Sequence, residues 1–185
     1  KCLSSICESA AERFGFPMII KRNTGGRGKD ISKVESYEKL IEEMESKSES
    51  AIREGYFGDF ILQRFIESSI DHDCRIGIID GKFAFSYKRS LVSMNGNESP
   101  WLASTSNGSK EGEYHAKQKE IRLALKASNL IGAKFNELDV TFTERGPCII
   151  ENNPTPNYNI NDSEDLGRMK QFVDILVEKF EKSSI

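Results

Sequence analysis

Two carboxylates and an amide in the last third of the chain could form an oxygen-rich metal site. Asp139 lies in the apolar segment Leu138–Val140, and Glu151 and Asn153 lie at the end of the next strand-like segment. Residues on adjacent antiparallel strands can meet across the pair, and strand alternation points Glu151 and Asn153 to the same side. Such donors suit Mg²⁺, which binds carboxylates together with nucleotide phosphates. The pattern predicts a magnesium site, although Asp and Asn are also common at solvated strand ends.

A lysine followed by a glycine-rich segment could bind phosphate. Lys21 ends the apolar run that starts at Phe16, and residues 25–28 read Gly-Gly-Arg-Gly. Glycines let backbone N–H groups approach phosphate oxygens, and the lysine supplies a positive charge. The segment is not a Walker A sequence, so an exposed turn with a solvated lysine is the alternative.

Two other features could contribute to a site, and a third gives only a weak signal. The segment Phe60–Ile66 could offer main-chain groups to a purine, although any edge strand could do the same. Arg75 and Arg89 lie in or next to strands, where their forked donors could bind phosphate or carboxylate, and surface arginines are the alternative. The run Asp-His-Asp at 71–73 does not indicate a transition-metal site, because the only other histidine is His115.

The elements that must position these residues alternate between helix and strand, which is typical of an α+β fold with antiparallel hairpins. The expected helices are 2–14, 34–46, 115–130 and 163–180, and the expected strands are 16–21, 60–66, 74–79, 83–88, 136–143 and 148–151. Residues 47–58 are expected to contain a loop, and Asp80-Gly81 a hairpin turn. Residues 90–113 form a long irregular segment, and loops of that size are usually functional or disordered.

The composition favours a folded, water-soluble protein. The chain has 185 residues, of which 37% are hydrophobic and 30% charged, with a formal net charge of -3. It therefore lacks the basic field that draws in nucleic acid, and it has no apolar run long enough for a membrane span. Its four cysteines, Cys2, Cys7, Cys74 and Cys148, show no CxxC pair and are expected to be free thiols in the cytoplasm.

Seven short motifs, taken in order, resemble the ATP-grasp superfamily and most closely its RimK-like glutamate ligases. They are Pro17-Met18-Ile19-Ile20-Lys21, Gly25-Gly26-Arg27-Gly28, Leu62-Gln63-Arg64-Phe65-Ile66, Asp73-Cys74-Arg75, Tyr87-Lys88-Arg89, Leu138-Asp139-Val140 and Ile150-Glu151-Asn152-Asn153-Pro154-Thr155-Pro156. Together they cover nearly the whole chain. The resemblance implies an α+β ATP-grasp fold, with two α+β lobes whose antiparallel sheets enclose a nucleotide cleft. The smaller lobe, 1–66, would carry the glycine-rich lid, and the larger catalytic lobe, 67–185, the metal site. The resemblance implies that the N-terminal domain that usually precedes these lobes is missing from this sequence, and because the sequence also starts without Met, a fragment is expected.

The resemblance also implies roles for the matching residues. The expected catalytic residues are Lys21 and Arg89, and Arg89 would stabilise the transferred phosphoryl group. The expected nucleotide-binding residues are Lys21, Gly25, Gly26, Arg27, Gly28, Gln63, Arg64, Phe65, Ile66 and Asp73. The expected metal ligands are Asp139, Glu151 and Asn153, for Mg²⁺ with Mn²⁺ as an alternative. Arg75 and Asn107 are the candidate substrate residues.

The activity implied is a ligation that activates a carboxylate as an acyl phosphate with ATP and joins it to an amine. The partners would be small-molecule or peptide carboxylates and amines, without nucleic acid or membrane, and relatives often self-associate. One alternative is an ATP-grasp kinase, which would leave a stable phosphoester. A non-catalytic nucleotide-binding module is another, and the unusual segment 90–113 favours it.

The chain departs from the family pattern in two places. The hinge reads Gln63-Arg64 where the family commonly has Gln-Glu, so only backbone contacts of an adenine site are expected to persist there. Residues 101–104, Trp-Leu-Ala-Ser, stand where relatives often carry Arg or Lys, one further residue and Asn. Asn107-Gly108 is the candidate replacement.

Overall fold

The computed structural model describes residues 3–24, 28, 30–94, 98–154, 158 and 161–183. The chain separates into two compact units, Lys1–Glu67 and Ser68–Ile185. Each unit contains an antiparallel sheet and helices, so the expected α+β class is confirmed. That the first unit acts as the lid-bearing lobe and the second as the metal-bearing lobe stays a prediction.

The first unit is a small sheet covered by two helices. Its elements are α1 (Leu3–Phe14), β1 (Met18–Arg22), β2 (Ser32–Val34), α2 (Tyr37–Arg53) and β3 (Phe60–Arg64), and the strand order is β2-β1-β3. Its buried core consists of Cys7, Ala10, Met18, Ile20, Val34, Leu40 and Met44. Because side chains alternate along a strand, burial of Met18 and Ile20 against the helices places Lys21 on the other face of β1.

The second helix differs from the expectation at both ends. Val34 belongs to β2, and Ser36 caps the helix by accepting a hydrogen bond from the Lys39 amide at 3.3 Å. A serine in that position satisfies one of the first unpaired amides of a helix. The helix also continues to Arg53, beyond the expected end at residue 46, so the loop expected within 47–58 is confined to the residues after Arg53. Ala51 is buried, and the ion pair Glu43–Lys47 spans one turn at 3.6 Å.

The second unit is built around a five-stranded antiparallel sheet. Its elements are β4 (His72–Ile79), β5 (Lys82–Ser90), a 3₁₀ turn (Thr105–Asn107), β6 (Glu111–Glu113), α3 (Gln118–Ile131), β7 (Phe135–Thr143), β8 (Gly146–Asn153) and α4 (Ser163–Ser183), and the strand order is β6-β5-β4-β7-β8. Asp80 and Gly81 both have positive φ angles, 47° and 74°. Such angles are required in a type I′ hairpin, so the expected tight turn between β4 and β5 is confirmed.

The two faces of this sheet differ in character. One face packs against α3 and buries Cys74, Ile76, Ile78, Ala124, Leu138 and Val140. Alternation then sends Asp73, Arg75 and Asp139 to the opposite face. The first half of α4 lies over that opposite face, where Phe172 stacks on Phe135 with ring centroids 4.4 Å apart.

The described residues of the segment 90–113 are largely irregular, as expected, but the segment is connected to the sheet. Val92 forms an isolated bridge with Leu102, and the short β6 at its end pairs with β5. Among the described residues, Cys7, Cys74 and Cys148 are free thiols, in line with the expectation, and Cys2 lies outside them. No helix in the described ranges is both long and apolar enough to cross a membrane.

Candidate functional site

We define the charged face as a group of six ionisable side chains on the face of the second sheet that is opposite α3. Its members are Asp73 and Arg75 of β4, Arg89 of β5, Glu137 and Asp139 of β7, and Glu151 of β8. Strand register brings them together, because Asp73 is the partner of Arg89, Arg75 of Asp139, and Asp139 of Glu151. Four carboxylates and two guanidiniums give these six residues a formal charge of -2, which is an environment that favours a cation.

Asp139 is the centre of the charged face. Arg75 donates to Oδ1 of Asp139 through Nε at 2.7 Å and to Oδ2 through Nη2 at 3.0 Å, and Arg89 Nη2 lies 2.8 Å from the same Oδ2. Burial alone would raise the pKa of Asp139, but Arg89 and Arg75 lower it, and the net pKa is below its ordinary value. Asp139 is therefore ionised at neutral pH, as a metal ligand must be.

Asp73 orients Arg89. The Arg89 guanidinium donates through Nε to Asp73 Oδ1 at 3.0 Å and through Nη2 to Oδ2. Asp73 is 1% exposed, and this burial raises its pKa although Arg89 opposes the change. The contact with a ribose that we expected for Asp73 stays a prediction, since in this structure both of its oxygens accept from Arg89.

Two members of the site were not anticipated from the sequence. Glu137 is 1% exposed, accepts from Tyr158 Oη at 2.7 Å, and lies 3.3 Å from Arg75 Nη1. Burial raises the pKa of Glu137, with Arg75 and Tyr158 acting in the opposite direction. Strand alternation could have found Glu137, which lies two residues before Asp139. Tyr158 follows a proline-containing stretch of sequence with no periodic signal.

A β-bulge sets the direction of Glu151 and Asn153. In the ladder between β7 and β8, Asp139 pairs with Glu151 but Val140 pairs with Ile149, so the register shifts at Ile150. Ile149 therefore packs against the core between the sheet and α3, whereas Glu151 lies on the same face of the sheet as Asp139. Bulges of this kind commonly redirect side chains next to functional sites.

The expected metal ligands carry oxygen donors of the kind that magnesium prefers, and they lie on one face of the sheet. Asp139 and Glu151 are register partners, and Asn153 is the partner of Glu137 one step along the same face. Glu151 is exposed, and Asn153 donates through Nδ2 to the Glu137 carbonyl at 3.5 Å, which leaves its amide oxygen as a donor atom for a metal. Over the described residues there is no group of three or more His, Cys, Asp and Glu side chains arranged to hold a metal. The candidate set combines two carboxylates with an amide, and both oxygens of Asp139 already accept from guanidinium groups.

The phosphate-binding candidates lie in the first unit. Lys21 is half-buried in β1, opposite Ile61 of β3. Gly28 has a φ of 67°, a left-handed conformation that glycine adopts without steric cost. Gly25, Gly26 and Arg27 lie outside the described residues.

The hinge candidates lie at the end of β3. Gln63 and Arg64 pair with Ile19 and Met18 of β1, and Arg64 Nε donates to the Phe14 carbonyl at 3.0 Å. The Phe65 amide donates to the Pro17 carbonyl at 3.0 Å. Any contact of this segment with a purine must therefore use its other backbone groups, including those of Ile66.

Asn107 and His72 are not members of the charged face. Asn107 ends the 3₁₀ turn, where its side-chain amide donates to Ser104 Oγ at 2.9 Å. His72 lies on the α3 face, with its ring centroid 5.8 Å from that of Phe142, so it diverges from the neighbouring Asp73. A cavity of about 310 Å³ opens on that side, and its lining residues are Ser69, Ile70, His72, Tyr114, Lys117, Lys119, Glu120, Phe142, Thr143 and Gly146.

Comparison with known sequences identifies a matching family. The sequence profile of the RimK-like ATP-grasp domain matches residues 3–171. The chain is similar to the probable alpha-L-glutamate ligase of Shewanella halifaxensis, with 26% identity over 144 residues, which is 77% of this chain and 29% of that protein. The chain therefore spans under a third of the length of this relative.

Several solved structures share the fold of this chain. The D-alanine–D-alanine ligase of Bacillus anthracis matches 98% of this chain and 60% of its own, with a TM-score of 0.62 and 15% identity. A RimK domain ATP-grasp protein of Sphaerobacter thermophilus matches 91% of this chain and 55% of its own, with a TM-score of 0.56 and 16% identity. At these identities the likeness concerns the fold.

Proposed function

Because the chain belongs to the RimK-like ATP-grasp family, we propose that it forms the nucleotide- and metal-binding part of an ATP-dependent carboxylate–amine ligase. The observation that carries this proposal is the pairing of Asp139 with Glu151 on a face that also holds Arg75 and Arg89. Two acids with two guanidiniums are the groups needed to bring a nucleotide and a second anion together.

The proposed reaction has two steps. A substrate carboxylate oxygen attacks the γ-phosphorus of ATP, the bond to the β-phosphate oxygen breaks, and ADP leaves. An amine then attacks the carbonyl carbon of the acyl phosphate, phosphate leaves, and the new amide loses a proton. The first step brings two anions together, so its rate depends on fixed positive charge at the reacting oxygens.

The residues of this chain would divide that work. Lys21 binds the nucleotide phosphates, and the glycine-rich segment at 25–28 covers them. Arg89, held by Asp73, stabilises the transferred phosphoryl group, while Arg75 positions the acidic substrate. Backbone groups at 63–66 bind the adenine.

The metal would be held by Asp139, Glu151 and Asn153. When bound, magnesium would neutralise charge on the nucleotide phosphates. The lowered pKa of Asp139 supports this assignment, because the carboxylate is ionised at neutral pH. Mn²⁺ has similar ligand preferences and is expected to substitute.

An amino acid is the proposed substrate class. The similar protein of Shewanella halifaxensis is called an alpha-L-glutamate ligase, and the fold is shared with a D-alanine–D-alanine ligase. On this basis we propose that a free amino acid supplies one of the two reacting groups and that a small molecule or a peptide supplies the other.

The test is a product analysis with ATP and magnesium, using L-glutamate with a panel of amines and carboxylates. Phosphate release that requires both an acid and an amine, with a product of the summed mass less one water, would support the ligase. A stable phosphoester without an amine would indicate a kinase. Saturable ATP binding with no turnover across the panel would indicate a binding module.

A further inference from the structure

Arg75 and a metal ion need the same oxygens of Asp139. Arg75 occupies both carboxylate oxygens, at 2.7 Å and 3.0 Å, and Arg89 adds a contact of 2.8 Å to Oδ2. A divalent cation at Asp139 would compete with these donors for the carboxylate lone pairs, and the two guanidinium charges would repel it, so metal binding favours withdrawal of a guanidinium.

Each of the two arginines has a second carboxylate of its own. Arg89 is held by Asp73, and their side chains are 6% and 2% exposed. Arg75 is 21% exposed and reaches Glu137 through Nη1 at 3.3 Å. Arg75 is the more accessible guanidinium, so it is the one that can turn away from Asp139 at the lower cost.

Glu137 is built to keep Arg75 in place after such a change. Its Oε1 accepts from Tyr158 Oη at 2.7 Å, and its Oε2 faces Arg75. A buried carboxylate fixed on one oxygen presents the other in a constant position. The Nε and Nη2 groups of Arg75 donate to Asp139 in this structure. After the change they would form a free pair of parallel donors suited to a carboxylate or a phosphate.

We propose that Arg75 and Mg²⁺ compete for Asp139, and that Glu137 holds Arg75 beside the site once the metal has bound, so that metal loading presents the Arg75 fork to an anionic substrate group. Glu137 is a positioning residue in this account. The inference rests on the proposed function, since it requires the nucleotide–metal site at Asp139. It predicts an order of events, in which the acidic substrate binds well only after the metal.

The opposite view is that Arg75 only supports Asp139 in a geometry that the metal needs. The two views predict opposite changes in magnesium affinity when Arg75 is removed. Competition predicts that the metal binds more tightly without Arg75, and support predicts that it binds more weakly. For each protein, the dissociation constant of ADP without magnesium is divided by the constant with magnesium. This ratio reports how much magnesium strengthens ADP binding, and any direct contact of Arg75 with ADP cancels from it.

The experiment is calorimetric titration of ADP into wild type, Arg75→Gln, Glu137→Gln and the double variant, each without and with magnesium. We expect the ratio to rise about 5-fold or more in Arg75→Gln and to fall in Glu137→Gln, with changes of the size usual for coupled sites. In the double variant the ratio should equal that of Arg75→Gln, because Glu137 acts through Arg75. Arg122→Gln, the same change at an exposed position of α3, is the control and should leave the ratio unchanged.

Arg75→Lys is a second variant that keeps the test valid if Arg75→Gln does not fold. Lysine keeps the charge but cannot hold a carboxylate with two parallel donors, so the ratio should rise in this variant too. A ratio that falls or stays constant in both Arg75 variants, with wild type binding ADP in a magnesium-dependent way, would overturn this inference and leave the proposed function standing. Absence of magnesium-dependent ADP binding in folded wild type would overturn both.

Discussion

Asp139 of β7 and Glu151 of β8 are register partners on one face of the sheet, although Ile149 packs on the other face. Regular alternation would send Ile149 and Glu151 to the same side. The bulge at Ile150 shifts the register, so Ile149 faces the core while Glu151 of the same strand lies on the charged face. The geometry of the proposed metal site thus depends on one irregular residue.

Lys21 is proposed to bind the nucleotide phosphates through its ammonium group. Lys21→Ala should raise the dissociation constant of ATP by about 10-fold or more, as expected for the loss of a charge-assisted hydrogen bond of ~1.5–3 kcal/mol. Calorimetric titration of ATP in magnesium checks this. Lys39→Ala is the control, because Lys39 is an exposed lysine of the same unit that pairs with Glu42. Equal ATP affinity in Lys21→Ala and Lys39→Ala would remove Lys21 from the site.

A buried polar chain behind the charged face should contribute to stability. Ser128 Oγ donates to Asn136 Oδ1 at 2.9 Å, and Asn136 Nδ2 donates to Asn152 Oδ1, which links α3 to β7 and β8. Asn136 is fully buried, so Asn136→Ala leaves the buried Ser128 hydroxyl and the half-buried Asn152 amide without this partner and should lower the free energy of unfolding by about 1–3 kcal/mol.

Urea unfolding of this variant beside Asn129→Ala, an exposed asparagine on α3, is the measurement. A loss no greater than that of Asn129→Ala would show that the buried chain does not stabilise the unit. Nucleotide binding should be retained in both variants, since Asn152 and Asn136 lie on the α3 side of the sheet.

The turn at Asp80 gives a pH-dependent prediction. Lys179 donates to Asp80 Oδ1 at 2.7 Å, and Lys134 lies 3.7 Å from it. The hydrogen bond from Lys179 lowers the pKa of Asp80, and the charge of Lys134 adds to this effect. A lowered pKa in the folded state means stability that is present above the ordinary Asp pKa and is lost as the pH falls through the folded value.

Asp80→Asn should therefore be less stable than wild type at neutral pH, and the difference should shrink as the pH falls below about 4. Asparagine tolerates the positive φ of this position, so the variant keeps the turn. Thermal unfolding from pH 7 to pH 3 checks the trend, with Asp174→Asn on the exposed side of α4 as the matched control. A difference that does not change with pH would contradict the ion-pair explanation.

Much of the fold followed from local signals. Apolar alternation located most of the strands, and Asp80-Gly81 marked its hairpin, because both depend on residues near in sequence. The second half of α2 was missed because its residues are mostly polar. Its stabilising contacts are one buried alanine and side-chain pairs a turn apart, which a search for apolar periodicity does not detect.

The site was predictable to a lesser extent. Motif order and strand alternation identified Asp139, Glu151 and Asn153 as candidates, and their shared face follows from register. The partners of Arg75 and Arg89 were not predicted, since they depend on which strands are neighbours in the sheet. Tyr158 could not have been found, because its contact with Glu137 joins positions 21 residues apart and has no periodic pattern.

The most direct test of the account is calorimetric titration of ATP, with and without magnesium, into wild type and Glu151→Gln. Glu151 is an exposed residue at a strand end, so the variant should fold like wild type by circular dichroism. We predict that magnesium tightens ATP binding in wild type and that Glu151→Gln loses most of this effect. Equal magnesium dependence in the two proteins would contradict the placement of the metal at Asp139 and Glu151.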